Sequence, residues 1–160
     1  MLLTLVTAAL AVLGTLLGSI VSGRFQERAA ERGVRVSHGE TIRRDRLEAV
    51  TALACAASDH RRTMWMRGDA ILKGADHERV QALRSESHLT RSQVTRPLVA
   101  MRVLITDPAV RVAADHMVTL TYAMRDHFGS TEELTAAREA AMVAHDEFVD
   151  TAARYLAQHA

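Results

Sequence analysis

The sequence is poor in the residues that interrupt helices and in those that build β-sheets. Its 160 residues include two prolines and eight glycines, and aromatic residues make up 4% of the chain. β-Rich domains depend on aromatic and β-branched residues and on frequent turns. The composition therefore argues against them and predicts an all-α fold whose core is built from Ala, Leu, Val and Met.

The chain has one cysteine, Cys55, so an intramolecular disulfide cannot form and an oxidised secreted scaffold is excluded. Its neighbours Ala54 and Ala56 predict a small buried residue on a helix. The sequence has no Gly-rich phosphate loop, no Gly-x-Ser-x-Gly and no paired-carboxylate signature. We therefore expect no catalytic residue, no cofactor and no enzymatic activity.

Aspartate and histidine recur as neighbours, as in Asp59-His60 and Asp115-His116. Adjacent residues on a helix do not face the same way, so such a pair does not chelate a metal. The Glu-x-x-His motif of di-iron bundles and the His-Glu-x-x-His motif of zinc enzymes are both absent from the sequence. We expect no metal site.

A long uncharged run, Leu2–Ser22, follows the first residue. At about 1.5 Å per residue it reaches about 30 Å, the thickness of the bilayer core. A cleaved signal peptide is the main alternative, but it would have a charged first region and a shorter apolar run. Residues 1–23 are therefore predicted to form a single transmembrane anchor, with the lipid bilayer as a partner.

Positive charge follows this run at Arg24, Arg28, Arg32 and Arg35. Because basic residues stay on the cytoplasmic side, the N-terminus is predicted outside and the C-terminal domain in the cytoplasm. Residues 24–39 are interpreted as a charged juxtamembrane helix and a hinge.

Small residues repeat every four positions within the apolar run, at Gly14, Gly18 and Ser22. Such a stripe lets two membrane helices approach closely. It favours a homo-oligomer formed through this face, although small residues are common in membrane helices for other reasons.

Residues 40–160 are predicted to form an antiparallel up-down bundle of about four helices, connected by short turns. Gly74 ends the first helix, and Asp76 begins the second. Asp107, followed by proline, begins the third, and Ser130 with Glu133 forms a capping box for the fourth. The predicted ranges are 40–73, 77–106, 108–128 and 131–156, and Pro97 is expected to kink the second helix.

Apolar residues repeat at alternating spacings of three and four, the pattern of a left-handed bundle. This spacing is regular in the second, third and fourth helices. The first is less regular, and its predicted core positions are Leu47, Val50, Ala54, Ala57, Arg61, Met64 and Ile71.

Pairing the first two helices about the Gly74 turn predicts an interior polar layer. Its members are His60, Arg61, Ser87, His88 and Thr90. Such a layer either fixes the register of the bundle or forms a ligand pocket.

The mixture of arginines with Trp65 suits nucleic acid in principle. Without a helix-turn-helix or zinc spacing, we do not expect nucleic acid as a partner.

Several segments resemble one family. They include Gly14 to Gln26, Arg43 to Leu53, Ser58 to Asp69, Thr95 to Leu98 and Thr121 to Arg125. Together they are similar to the actinobacterial KilB-like membrane proteins, which are associated with conjugative plasmids and streptomycete chromosomes. The resemblance implies a role in spreading a mobile element between cells, plasmid-transfer proteins as partners, and toxicity when expression is unregulated. It transfers no functional residue.

Two other classes of function remain open. One is a membrane-tethered scaffold or interaction module unrelated to transfer. The other is a ligand sensor with a pocket at His60 and His88, although membrane sensors of this kind usually have a second span and an output domain.

Overall fold

The structure is a computed structural model that describes residues 39–159, and this part of the chain is helical without any strand. Helix α1 covers residues 39–72, α2 His77–Leu104, α3 Pro108–Ala123 and α4 Thr131–Gln158, and a 3₁₀ turn, Met124–Asp126, follows α3. The compact helical unit begins at Ile42. The all-α prediction is confirmed for this range.

Within residues 39–159, no helix is both long enough and apolar enough to cross a membrane. The predicted anchor over Leu2–Ser22 lies outside the described residues, as does the predicted juxtamembrane segment up to residue 38.

Side-chain caps fix the starts of three helices, as the sequence predicts. The carboxylate of Asp76 accepts from the Arg79 amide at 2.7 Å, and that of Asp107 accepts from the Val110 amide at 3.0 Å. The Ser130 hydroxyl accepts from the Glu133 amide at 3.1 Å. Each bond satisfies an amide that has no partner within its own helix.

The connection between α1 and α2 turns at Gly74. Its φ is +67°, a left-handed backbone conformation that side chains with a Cβ rarely adopt. Glycine here stops α1 and allows the reversal that makes α2 antiparallel to it.

Helix α2 continues through Pro97 but ends earlier than predicted, at Leu104. Ile105 adopts an extended conformation and is fully buried. Asp107 must leave helical geometry in order to cap α3, and a residue before proline avoids the helical region. These constraints end α2 before residue 106.

Contacts between helices establish the antiparallel order. Along α1 and α2, Arg46 Nε donates to the Leu104 carbonyl at 3.1 Å, and further along His60 bonds Thr90. As the residue number increases along α1, the residue number of its contact on α2 decreases, so the two helices run in opposite directions.

The other pairs of neighbouring helices are also antiparallel. Arg102 pairs with Asp115 at 2.6 Å between α2 and α3. The guanidinium of Arg46 lies 5.6 Å from the centroid of the Tyr155 ring, and that of Arg138 lies 4.8 Å from the Trp65 ring, so α1 and α4 are also antiparallel. The predicted four-helix up-down arrangement is observed.

The interior consists of two apolar clusters. The larger occupies the end of the bundle nearest Ile42 and includes Leu53, Val94, Met101, Met117 and Phe148, all of them buried. The smaller comprises Met64, Met124, Leu134 and Ala141, with Trp65 and Phe128 packed against it. Buried polar side chains lie between the two clusters.

The predicted core positions at the two ends of α1 are wrong. Leu47 is 54% exposed and Ile71 is 38% exposed. The predicted core positions Val50, Ala57 and Met64 are buried, and so is Leu53, which lies outside the predicted set. Alanine-rich stretches leave the apolar face of a helix ambiguous by about one residue, and packing against α2 and α3 selects Leu53 rather than Ala54.

Candidate functional site

Four polar side chains are buried between the apolar clusters: His60, Thr63, Ser87 and Thr121. Three of them are satisfied within their own helix, by carbonyl oxygens three or four residues earlier. The Thr63 hydroxyl donates to the Asp59 carbonyl at 3.0 Å, Ser87 to Arg84 at 2.7 Å and Thr121 to Met117 at 2.8 Å. Such bonds satisfy a buried hydroxyl without joining helices.

His60 is the member that reaches another helix. Its Nδ1 lies 2.9 Å from the Thr90 hydroxyl. That hydroxyl is also 3.2 Å from the Glu86 carbonyl and 3.3 Å from the Ser87 carbonyl, to which it donates. We infer that Nδ1 carries the imidazole proton and that Nε2 is an acceptor.

Burial and, as the smaller cause, the positive charge of Arg91 together lower the pKa of His60 to about 4. The imidazole is therefore neutral at pH 7. A neutral ring avoids placing another positive charge beside Arg91.

The predicted polar layer is only partly interior. His60 and Ser87 are buried, and Thr90 is half-buried. Arg61 is half-buried, and its pKa is lowered by burial and by Arg138 on α4. It donates to the Ser58 hydroxyl at 3.2 Å. His88 is exposed, because it follows Ser87 and points about one hundred degrees away on the helix.

A narrow basic crevice opens beside the buried layer, with a volume of about 70 Å³. Helices α1, α2 and α3 and the 3₁₀ turn all contribute to it. The residues that line it are His60, Met64, Arg67, Ser87, His88, Arg91, Tyr122 and Arg125. We call this set the basic crevice.

Tyr122 organises one wall of the basic crevice. The guanidinium carbon of Arg91 lies 4.3 Å from the centroid of the Tyr122 ring, and the His60 ring meets the same ring edge-on at 5.3 Å. The Tyr122 hydroxyl donates to the Arg91 carbonyl at 3.4 Å. Burial raises the pKa of Tyr122, so the phenol stays protonated at neutral pH.

Arg67 forms the opposite wall. Its guanidinium carbon lies 5.6 Å from the centroid of the Phe128 ring. Its Nε is buried and has no hydrogen-bond partner in the described part of the chain. Burial and the nearby charge of Arg84 both lower the pKa of Arg67. The basic crevice therefore contains a guanidinium donor that the fold itself does not satisfy.

Arg67, Arg91 and Tyr122 are not in the predicted polar layer, yet the helix pairing contains the signal for all three. Pairing α2 with α3 about the Asp107 turn brings Arg91 level with Tyr122. Pairing α1 with α2 about Gly74 brings Arg67 level with Arg84. Core positions alone do not reveal these residues, because the arginines flank the core.

A second depression runs between α1 and α4 and is almost wholly apolar. Its volume is about 420 Å³, and it is lined by Leu47, Val50, Thr51, Ala54, Cys55, Ser58, His145, Val149, Ala153 and Leu156. We call it the apolar groove. Cys55 is exposed here, so the prediction of a buried cysteine is wrong. Its alanine neighbours leave room around the thiol instead of covering it.

The predicted helix-dimer face at Gly14, Gly18 and Ser22 lies outside the described residues. Between residues 39 and 159, no three His, Cys, Asp or Glu side chains are placed to hold a metal ion.

Residues 47–156 match the family described as KilB plasmid transfer protein. The chain belongs to the KilB family. Protein KilB of Streptomyces lividans is 42% identical over 150 residues, which cover 94% of this chain and 97% of that relative. No solved structure matches the chain. The resemblance seen in the sequence is confirmed.

The KilB match contains every residue that lines the basic crevice and the apolar groove. The alignment with the Streptomyces lividans KilB is longer. Residues 39–160 are too few to account for 94% of the chain, so that alignment extends into residues 1–38.

Proposed function

We propose that this protein is a membrane-anchored, non-enzymatic component in the spread of a conjugative element. The observation that carries the proposal is membership of the KilB family, described by its role in plasmid transfer, together with 42% identity over nearly the whole chain. We expect its partners to be other plasmid-transfer proteins.

The membrane part of the proposal is supported by the sequence. The run Leu2–Ser22 carries no charge and is followed by Arg24 and Arg28. The alignment with the relative extends into this region. The proposal therefore includes an anchor at Leu2–Ser22, with the N-terminus outside and the helical bundle in the cytoplasm.

A role in binding, without catalysis, is supported by the absence of known catalytic motifs from the sequence. The stripe Gly14, Gly18 and Ser22 supports self-association in the membrane. A transfer component of this kind would act by holding partners at the membrane.

Gene deletion tests the function. The gene is removed from a transferable element, and the diameter of the zone of spread is measured in a plate mating. Primary transfer frequency is measured separately, and the wild-type gene supplied in trans is the control. We expect a smaller zone that is restored by the gene. A zone of unchanged diameter would refute the proposed function.

A second candidate is a membrane-tethered interaction module unrelated to transfer, and the exposed apolar groove favours it. The two candidates differ in one result. If the second candidate is right, deletion leaves the zone of spread unchanged. Gly14→Ile with Gly18→Ile should dissolve an oligomer of the full-length protein in detergent under either candidate, because both self-associate through this stripe.

A further inference from the structure

The basic crevice concentrates positive charge in a small space. Arg67, Arg91 and Arg125 line it, and His88 lies at its exposed rim. Within residues 39–159, neither Arg67 nor Arg91 forms an ion pair, whereas Arg125 Nε contacts its neighbour Asp126 at 3.3 Å. The charge in the crevice is therefore largely uncompensated.

Partial burial makes this arrangement costly for the fold. A buried donor without a partner loses its hydration and gains nothing in return. The unpartnered Nε of Arg67 is such a donor. Arg91 is held over Tyr122, which fixes its guanidinium beside the crevice and keeps it from turning freely into solvent. Both groups are positioned before any ligand arrives.

The size of the basic crevice limits what enters it. A cavity needs about 10 to 15 Å³ of space of this kind to hold one water molecule, so about 70 Å³ holds a compact group of several heavy atoms. Guanidinium groups bind planar carboxylates and tetrahedral phosphates through paired, charge-assisted bonds. The donors line the crevice from α1, α2 and the 3₁₀ turn. Such an arrangement suits an oxyanion with oxygens in three directions better than a planar carboxylate.

We propose that the basic crevice binds a single phosphate group, held by the guanidinium groups of Arg67, Arg91 and Arg125. The Ser87 hydroxyl donates to the Arg84 carbonyl, and the Tyr122 hydroxyl donates to the Arg91 carbonyl. These two hydroxyl hydrogens are therefore already used within the fold, and the arginines supply the hydrogen-bond donors to the phosphate. The site does not depend on the proposed role in transfer, since it rests on the described residues alone.

The phosphate group has two sources among small soluble molecules, inorganic phosphate and a nucleoside monophosphate. The crevice accommodates the phosphate in either case, and a nucleoside would remain outside it. A ligand with a phosphate at one end therefore fits the geometry, whereas adenosine without phosphate does not.

Phosphorus NMR titration of the full-length protein in mild non-ionic detergent tests the site. Inorganic phosphate and adenosine 5′-monophosphate are each titrated at pH 7 and constant ionic strength. We expect saturable binding of phosphate that chloride at the same ionic strength does not displace. If the nucleotide binds more tightly than phosphate, the group comes from a nucleotide; equal affinities assign the site to free phosphate.

Three variants locate the binding. Arg67→Gln and Arg91→Gln each remove one guanidinium and should weaken phosphate binding about tenfold or more. Arg79→Gln is the matched control, because Arg79 is an exposed arginine on α2 outside the crevice. Circular dichroism verifies folding, and the variants of the exposed Arg91 and Arg125, Arg91→Gln and Arg125→Gln, serve where Arg67→Gln unfolds. Unsaturable phosphate signals, or equal affinity in the wild type and all folded crevice variants, would overturn the proposal.

Discussion

The imidazole of His60 and the hydroxyl of Thr90 lie 2.9 Å apart and join α1 to α2 through the buried polar layer. The other buried hydroxyls bond carbonyls of their own helices. This single side-chain bond therefore fixes the register of α1 against α2 at the level that separates the two apolar clusters. Its histidine also makes the fold sensitive to pH.

Acidification should destabilise the bundle through His60. The pKa is about 4 in the folded chain and 6.5 for an unperturbed histidine. Between these values the unfolded chain binds more protons, so stability is full above about pH 6.5 and falls as the pH drops toward 4. We expect a loss of about 2 kcal/mol between pH 7 and pH 5.

Urea unfolding of the full-length protein in mild detergent, followed by circular dichroism at both pH values, measures this loss. His60→Gln should remove most of the pH dependence, whatever its effect at pH 7. His77→Gln, at an exposed position, should keep it. An unaltered pH dependence in His60→Gln would show that other groups are responsible.

Gly68 allows α1 to approach Phe128, in the loop between α3 and α4, and Leu134, near the start of α4. A Cβ there would lie 2.7 Å from Leu134 Cδ2 and 2.8 Å from the Phe128 ring. Gly68→Ala should lower the free energy of unfolding by about 1 to 2 kcal/mol, because overpacking outweighs the gain in helix propensity.

Gly39→Ala is the control for this change, since Gly39 is also in α1 and has open space around it. It should leave stability unchanged or raise it by up to about 1 kcal/mol. A Gly68→Ala protein as stable as Gly39→Ala would contradict the close approach.

Cys55 should react with a maleimide in the folded protein, because its side chain is exposed in the apolar groove. Full-length protein is labelled without denaturant, and incorporation is measured by mass spectrometry. A cysteine moved to the buried position 57, as Ala57→Cys in a Cys55→Ser background, should react only after denaturation. Slow labelling at both positions would mean that the groove is covered.

Features of this fold that depend on residues close together in the sequence are predictable from the sequence, and features that depend on several helices are not. Caps at Asp76, Asp107 and Ser130 were predictable because a side chain and an amide three residues later decide them. The face of α1 that is buried was not predictable from the sequence. Alanines lie on neighbouring faces of this helix, and packing against α2 and α3 determines which face becomes buried. The basic crevice, which includes Arg67 and Arg91, is formed by side chains from three helices. The periodicity along one helix therefore does not predict it.

The predicted topology has a direct check. A C-terminal tag on the full-length protein should stay with the membrane fraction and be protected when protease is added to intact protoplasts, because the arginines after Leu2–Ser22 hold the bundle inside. Permeabilised protoplasts are the control in which the tag is digested. Digestion in intact protoplasts would place the bundle outside.

Complementation in a plate mating tests the central claim most directly. A gene-deleted element receives either the full-length gene or one that lacks the codons for Leu2–Ser22, with equal protein levels confirmed by immunoblotting. We expect that the full-length gene restores the zone of spread and that the truncated gene does not. A truncated gene that restores the full zone would contradict a membrane-anchored role, and an undiminished zone in the deletion strain itself would contradict a role in spread.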